Sequence, residues 1–192
     1  SLILGERLYL LGESKCHVFA LDKGAELAAW ELPAAAKPAS GDAWLHLAAE
    51  DGTLFAASGP SPKTKVDWNT MLYRGVARAL FALEPATGKV RWSHGAEFSA
   101  ASLAIAEGKA VFVDAKGALT ALDARTGAPA WSVPAGLPEG AVIARAALYG
   151  GKVWVLYSKL GKKTGDASTI LTAGLNTREL AAFAAADGKR LF

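Results

Sequence analysis

Four segments of eleven residues align without gaps along this chain, each opening on Ala and closing ten residues later on a large aromatic. They span 20–30, 82–92, 121–131 and 182–192 and close on Trp30, Trp92, Trp131 and Phe192. The fullest copy has Asp123, Thr126 and Gly127 before Trp131. At 82–92 Glu84 takes the acidic place, at 20–30 Glu26 replaces the Gly, and at 182–192 Ala184 and Phe192 replace the Asp and Trp. A repeat of this kind constrains the fold more than any propensity does. Each unit is too small to bury its own apolar face, so copies must stack on one another.

Within a copy, an apolar or alternating strand (79–83, 119–122) runs into a turn of acidic residue, Thr and Gly, and the next strand carries the aromatic. This is hairpin chemistry. Upstream of it lies a second strand pair across a charged or glycine turn, such as 102–106 with 110–113, or 144–148 with 152–157. Four short antiparallel strands per unit are the pattern of a propeller blade. The expected fold is therefore all-β, with about four blades near 1–30, 31–92, 93–131 and 132–192, the first truncated on its outer, N-terminal side.

The closing aromatics are separated by 62, 39 and 61 residues. This alternation suggests a duplicated two-blade unit, with about 22 extra residues in blades two and four. Both inserts, at 59–78 and 159–178, are rich in Gly, Ser, Thr, Lys and Pro, as loops are. Both fall between the second and third strands of their blades, which puts them on one face of the disc.

The eleven-residue pattern Ala-x-Asp-x-x-Thr-Gly-x-x-x-Trp resembles the tryptophan-docking motif of the pyrroloquinoline quinone (PQQ) enzyme repeat, over essentially the whole chain. In that family the Trp packs between neighbouring blades, so the resemblance gives Trp30, Trp92, Trp131 and Phe192 architectural roles. It also implies a bacterial, periplasmic or otherwise extracytoplasmic protein. Full discs in the family have seven or eight blades, so this chain corresponds to about half of one. Some members are PQQ- and calcium-dependent dehydrogenases of alcohols or sugars. Others, the BamB-like ones, bind no cofactor and serve as protein-interaction scaffolds. Fold alone does not choose between these.

Composition narrows the choice. Calcium takes six to eight oxygen ligands, yet the chain has two Asn, Asn69 and Asn176, both in the inserts, with only Asp67 near the first. A lone Cys16 excludes an intramolecular disulfide and any cysteine-rich metal site. His17, His46 and His94 lie apart, without metal-ligand spacing. Gly161-Lys162-Lys163-Thr164-Gly165 lacks the spacing and following helix of a phosphate loop. A formal charge of +3 gives no footprint for nucleic acid, and no apolar run has the length of a membrane span. Serine 1 opens the chain without the basic region of a signal peptide.

The expected function is thus a non-enzymatic, protein-binding propeller with no catalytic residue, cofactor or metal of its own. The alternative is part of a PQQ- and calcium-dependent dehydrogenase. The best partner-binding residues are Trp68, Tyr73, Arg74 and Arg78 in the first insert, where aromatics interleave with cations. Half a disc leaves two apolar end faces, to be covered by further blades or by a second copy.

Overall fold

The computed structural model describes residues 1–12, 14–34, 39, 41–61, 76–138, 141–159 and 178–192. Among the described residues, fifteen strands form four antiparallel sheets, each a meander in chain order. Blade one is β1 (Leu2–Leu4), β2 (Arg7–Leu11), β3 (Lys15–Ala20) and β4 (Glu26–Glu31). Blade two is β5 (Asp42–Glu50), β6 (Thr53–Pro60), β7 (Val76–Leu83) and β8 (Val90–Ser99). Blade three is β9 (Ala104–Ala106), β10 (Lys109–Val113), β11 (Ala118–Asp123) and β12 (Pro129–Pro134). Blade four is β13 (Ala141–Tyr149), β14 (Lys152–Lys159) and β15 (Arg178–Ala184), with Arg190 bridging Phe183 where a fourth strand would lie.

Two expectations need correcting. Blade one has all four strands and is not truncated, although β1 is only three residues long. Ser102 is not in a strand: Ala100–Ser102 forms a 3-10 turn ahead of β9. The turn is held from inside. The buried Ser102 Oγ accepts from the Val113 N–H at 2.8 Å and donates to the Ser99 carbonyl at 2.7 Å.

Side chains alternate across each strand, so every blade has two faces, and the core is the set of sheet-to-sheet seams. Tyr9, Cys16 and Val18 of blade one meet Trp44, Leu54, Phe81 and Leu83 of blade two. The opposite face of blade two, with Ala57, Leu80 and Phe98, meets Ala110, Phe112 and Leu122 of blade three. Val111, Leu119 and Ala121 then meet Val153, Val155 and Phe183 of blade four. The 41 Ala have a use here: small side chains let successive sheets approach closely. Cys16 lies inside the first seam, where burial pushes its thiol up to about 11, which removes the thiolate that reactivity requires.

The turn that follows the third strand is the same in all four blades. The N–H of Ala20, Glu84, Asp123 and Ala184 donates to the carbonyl five residues on. Each of their carbonyls in turn accepts from Gly24, Gly88, Gly127 and Gly188. A register shift precedes the turn in the first three blades, at Val18/Phe19, Ala82/Leu83 and Ala121/Leu122. In blade three the exposed Asp123 carboxylate accepts from both the N–H and the hydroxyl of Thr126, at 2.8 and 2.7 Å.

Those bonds, the hydroxyl's first, hold the Asp123 carboxyl below its ordinary value. A folded-state value below the unfolded one means stabilisation that is present above the unfolded value and is lost as pH falls through the folded one. Asp123→Asn is therefore expected to lower the melting temperature at neutral pH. The gap to the parent chain should close in strong acid, as thermal melts across the acid range would show. A gap independent of pH would mean the carboxylate's charge is not what the turn uses.

Candidate functional site

The innermost strands of three blades face one another. A cleft of about 450 Å3 is lined by Leu45, His46 and Leu47 on β5, by Ala100, Ala101 and residues Leu103 to Ala106 around β9, and by Arg145 to Leu148 on β13. The two ionisable groups in this wall stand at equivalent positions. In blade two a register shift lies between Trp44 and His46, and in blade four one lies between Ile143 and Arg145. Each inserts one extra residue and re-aims the side chain that follows, which is the usual effect of a bulge. His46 and Arg145 are those following residues, so alternate blades present a cation or an imidazole at the same height. The match agrees with a two-blade repeat unit. Just before the first bulge, the Trp44 ring is buried edge-on to Phe81, and its indole N–H has no hydrogen-bond partner among the described residues.

The cleft does not fit a quinone held by calcium. Its lining supplies leucine, isoleucine and alanine side chains with one imidazole and one guanidinium, and no side-chain oxygen. Among the described residues, no three or more His, Cys, Asp or Glu gather into a metal-binding group. The other histidines lie elsewhere. His17 Nδ1 is 2.7 Å from Glu26 Oε1 on the surface of blade one. His94 is tilted against Phe112 at 5.8 Å, where burial lowers its pKa and so disfavours the charged ring.

Of the proposed binding residues, Trp68, Tyr73 and Arg74 lie outside the described residues, as do Asp67, Asn69, Asn176 and the 161–165 loop. Arg78 is described, near the start of β7. Its Nη1 donates to Asp42 Oδ1 at 3.1 Å, and its Nε is 3.9 Å from Glu97. The other Asp42 oxygen accepts from the Ala39 N–H, so Arg78 braces the segment that leads into β5.

The four repeat aromatics do not all fill one role: Trp92 and Trp131 are alike, and Trp30 and Phe192 depart from them. A Cβ on Gly127 would lie 2.6 Å from the Trp92 ring, and one on Gly188 2.7 Å from the Trp131 ring. Each ring therefore covers the turn glycine of the next blade. Trp92 Nε1 then donates to the Ala124 carbonyl and Trp131 Nε1 to the Ala185 carbonyl, both at 3.0 Å. Trp30 lies 2.5 Å from the Cβ position of Gly88, but it stands six residues beyond its own turn glycine where Trp92 and Trp131 stand four beyond theirs. The gapless alignment of 20–30 is thus offset by two residues. The Pro85 carbonyl, equivalent to those of Ala124 and Ala185, takes its bonds instead from the Tyr9 hydroxyl at 2.9 Å and Arg7 at 3.0 Å. Tyr9 and Arg7 were not foreseen. The Lys23-Gly24 pair, matched to Thr87-Gly88, is the signal that would have exposed the offset. Phe192 is not among the atoms nearest any described glycine's Cβ position and packs on Trp154 at 6.0 Å.

A family profile described as outer membrane protein assembly factor BamB matches residues 14–192. The chain belongs to the BamB family of PQQ-repeat propellers. Solved structures agree on the fold. BamB from Moraxella catarrhalis is 14% identical with a TM-score of 0.52, and the match covers 98% of this chain and 54% of that one. The computationally designed protein Ika8 is 12% identical with a TM-score of 0.60, covering 100% and 46%. A europium-containing methanol dehydrogenase is 16% identical with a TM-score of 0.50, covering 78% and 25%. This BamB-family chain thus spans about half the length of the first structures it matches. No curated protein sequence matches it. Among the described residues, no helix is long and apolar enough to cross a membrane.

Proposed function

We propose that this BamB-family chain is a non-enzymatic, extracytoplasmic scaffold that binds protein partners in outer-membrane protein assembly, as its family's description indicates for that factor. The observation that carries the reading is the axial wall. A dehydrogenase would need oxygen ligands there, and the wall offers leucine, isoleucine and alanine with Arg145 and His46. The partner-binding residues of this reading are Trp68, Tyr73 and Arg74 of the first insert, followed along the sequence by Arg78. Aromatic and arginine side chains are the types that dominate protein-protein binding energy.

Two measurements test this. Titration with PQQ and calcium is expected to give no saturable rise in melting temperature and no change in quinone absorbance. Saturable stabilisation would overturn the proposal in favour of a quinoprotein dehydrogenase. Binding to purified components of an outer-membrane assembly complex should be weakened at least about tenfold by Trp68→Ala with Tyr73→Ala, the usual scale for losing two anchoring aromatics. Unchanged affinity would remove the first insert from the binding face.

A further inference from the structure

One edge of each sheet is its first strand, and three of these edges, β5, β9 and β13, wall the cleft between blades two, three and four. Strands β5 and β13 both contact β9, and β13 also contacts the Ala100–Ser102 turn. The seams on either side of blade three are filled by packed side chains, so the three walls are held in place by contacts inside this chain. No residue near either terminus lines the cleft. Its volume of about 450 Å3 falls in the range of small-ligand sites, ~300–1,000 Å3.

The wall restricts what it can hold. Its apolar part is aliphatic: Leu45, Leu47 and Ile105 are part-buried, the rest of that part is Leu and Ala, and the only ring is the His46 imidazole. A planar aromatic body would find little to stack on, whereas a hydrocarbon chain would find a continuous surface. The charge is of one sign. No Asp or Glu lines the cleft, and among the described residues Arg145 makes no ion pair, in contrast to Arg78 with Asp42 and Arg91 with Glu84. A guanidinium offers a planar fork of N–H donors that matches a carboxylate. A second negative charge would meet only the imidazole, which is charged only when protonated. The backbone disfavours an added peptide strand. Bulges interrupt β5 between Trp44 and His46 and β13 between Ile143 and Arg145, and a bulged edge is a poor template for pairing.

We propose that this cleft is a binding site for a small monocarboxylate with an aliphatic body. The Arg145 guanidinium holds the carboxylate, and Leu45, Leu47 and Ile105 cover the hydrocarbon. Both parts of the ligand are needed: the carboxylate meets the one full cation of the wall, and the chain removes aliphatic side chains from water. The site requires neither metal nor quinone, and it shares no residue with the insert assigned to partner binding. Either inference can therefore fail without the other.

Calorimetric titration of the 192-residue chain with sodium octanoate tests this, with acetate and octanol as the two half-ligands. Octanoate is expected to saturate one site with a dissociation constant of about 0.1–1 mM, and each half-ligand to bind at least about tenfold more weakly. Arg145→Gln should weaken octanoate at least about tenfold and leave octanol unchanged, while Arg145→Lys should fall between the two. Ala147→Phe, which fills the cleft, should weaken octanoate and octanol alike. Arg145 and Ala147 are both exposed, so the variants should keep the circular dichroism of the parent. No saturation by about 10 mM octanoate would overturn the proposal. So would acetate binding as tightly as octanoate, which would mean an anion contact only, or octanol doing so, which would mean an apolar patch only. Octanoate affinity unchanged in Arg145→Gln would overturn it as well.

Discussion

Gly127→Ala is expected to destabilise the chain by about 3–5 kcal/mol, combining the cost of a left-handed backbone with that of overpacking. Gly127 has φ +73°, a region that costs an L-residue about 1–2 kcal/mol. The new methyl would also sit 2.6 Å from Trp92 Cδ2, and this ring is backed by Phe55. A ring fixed on its far side and by a bond to the Ala124 carbonyl cannot retreat without opening the seam. Gly117→Ala in the same blade supplies the comparison. Its φ is +78°, but no heavy atom lies within 4 Å of the Cβ position, so it should lose only about 1 kcal/mol. Urea melts of the two variants separate backbone strain from docking, and equal losses would show that the Trp92 contact contributes nothing.

Trp92→Ala should lose a comparable amount, about 3–5 kcal/mol, as expected for truncating a large aromatic that joins two packed elements. The variant empties the space over Gly127 and leaves the Ala124 carbonyl without its donor. Trp92→Phe keeps most of the ring and loses the hydrogen bond, so its cost should be near 1 kcal/mol. Trp30→Phe should be milder still, because Tyr9 and Arg7, not Trp30, serve the Pro85 carbonyl. In that seam Tyr9→Phe is the substitution that removes a docking hydrogen bond. Denaturant melts of these four variants would check the order, and a Trp30→Phe loss exceeding that of Trp92→Phe would contradict the exchange of roles.

The blades were legible in the sequence because turn chemistry is local. Asp123, Thr126 and Gly127 announce the hairpin, and the apolar runs on either side announce its strands. Blade one was harder to read. Ala20-Leu21-Asp22 looks like Ala121-Leu122-Asp123, yet it lies two residues later relative to the turn, since Gly24 and not Glu26 takes the positive φ. Matching letters outweighed the glycine, which is the residue the backbone requires. The axial wall could not be read at all. His46 and Arg145 are 99 positions apart, and their equivalence depends on two bulges that leave no mark in composition. Tyr9 likewise looks like any strand aromatic until its hydroxyl is seen to replace an indole N–H.

The seams join only adjacent blades, so the four units form a short linear array in which stability is the sum of each blade's own term and its couplings to neighbours. Among the described residues, blades two and three each have two couplings, and blades one and four have one. Amide protons of β2, β3, β14 and β15 should then exchange by fraying of the ends, while those of β6, β7, β10 and β11 wait for cooperative opening of the middle.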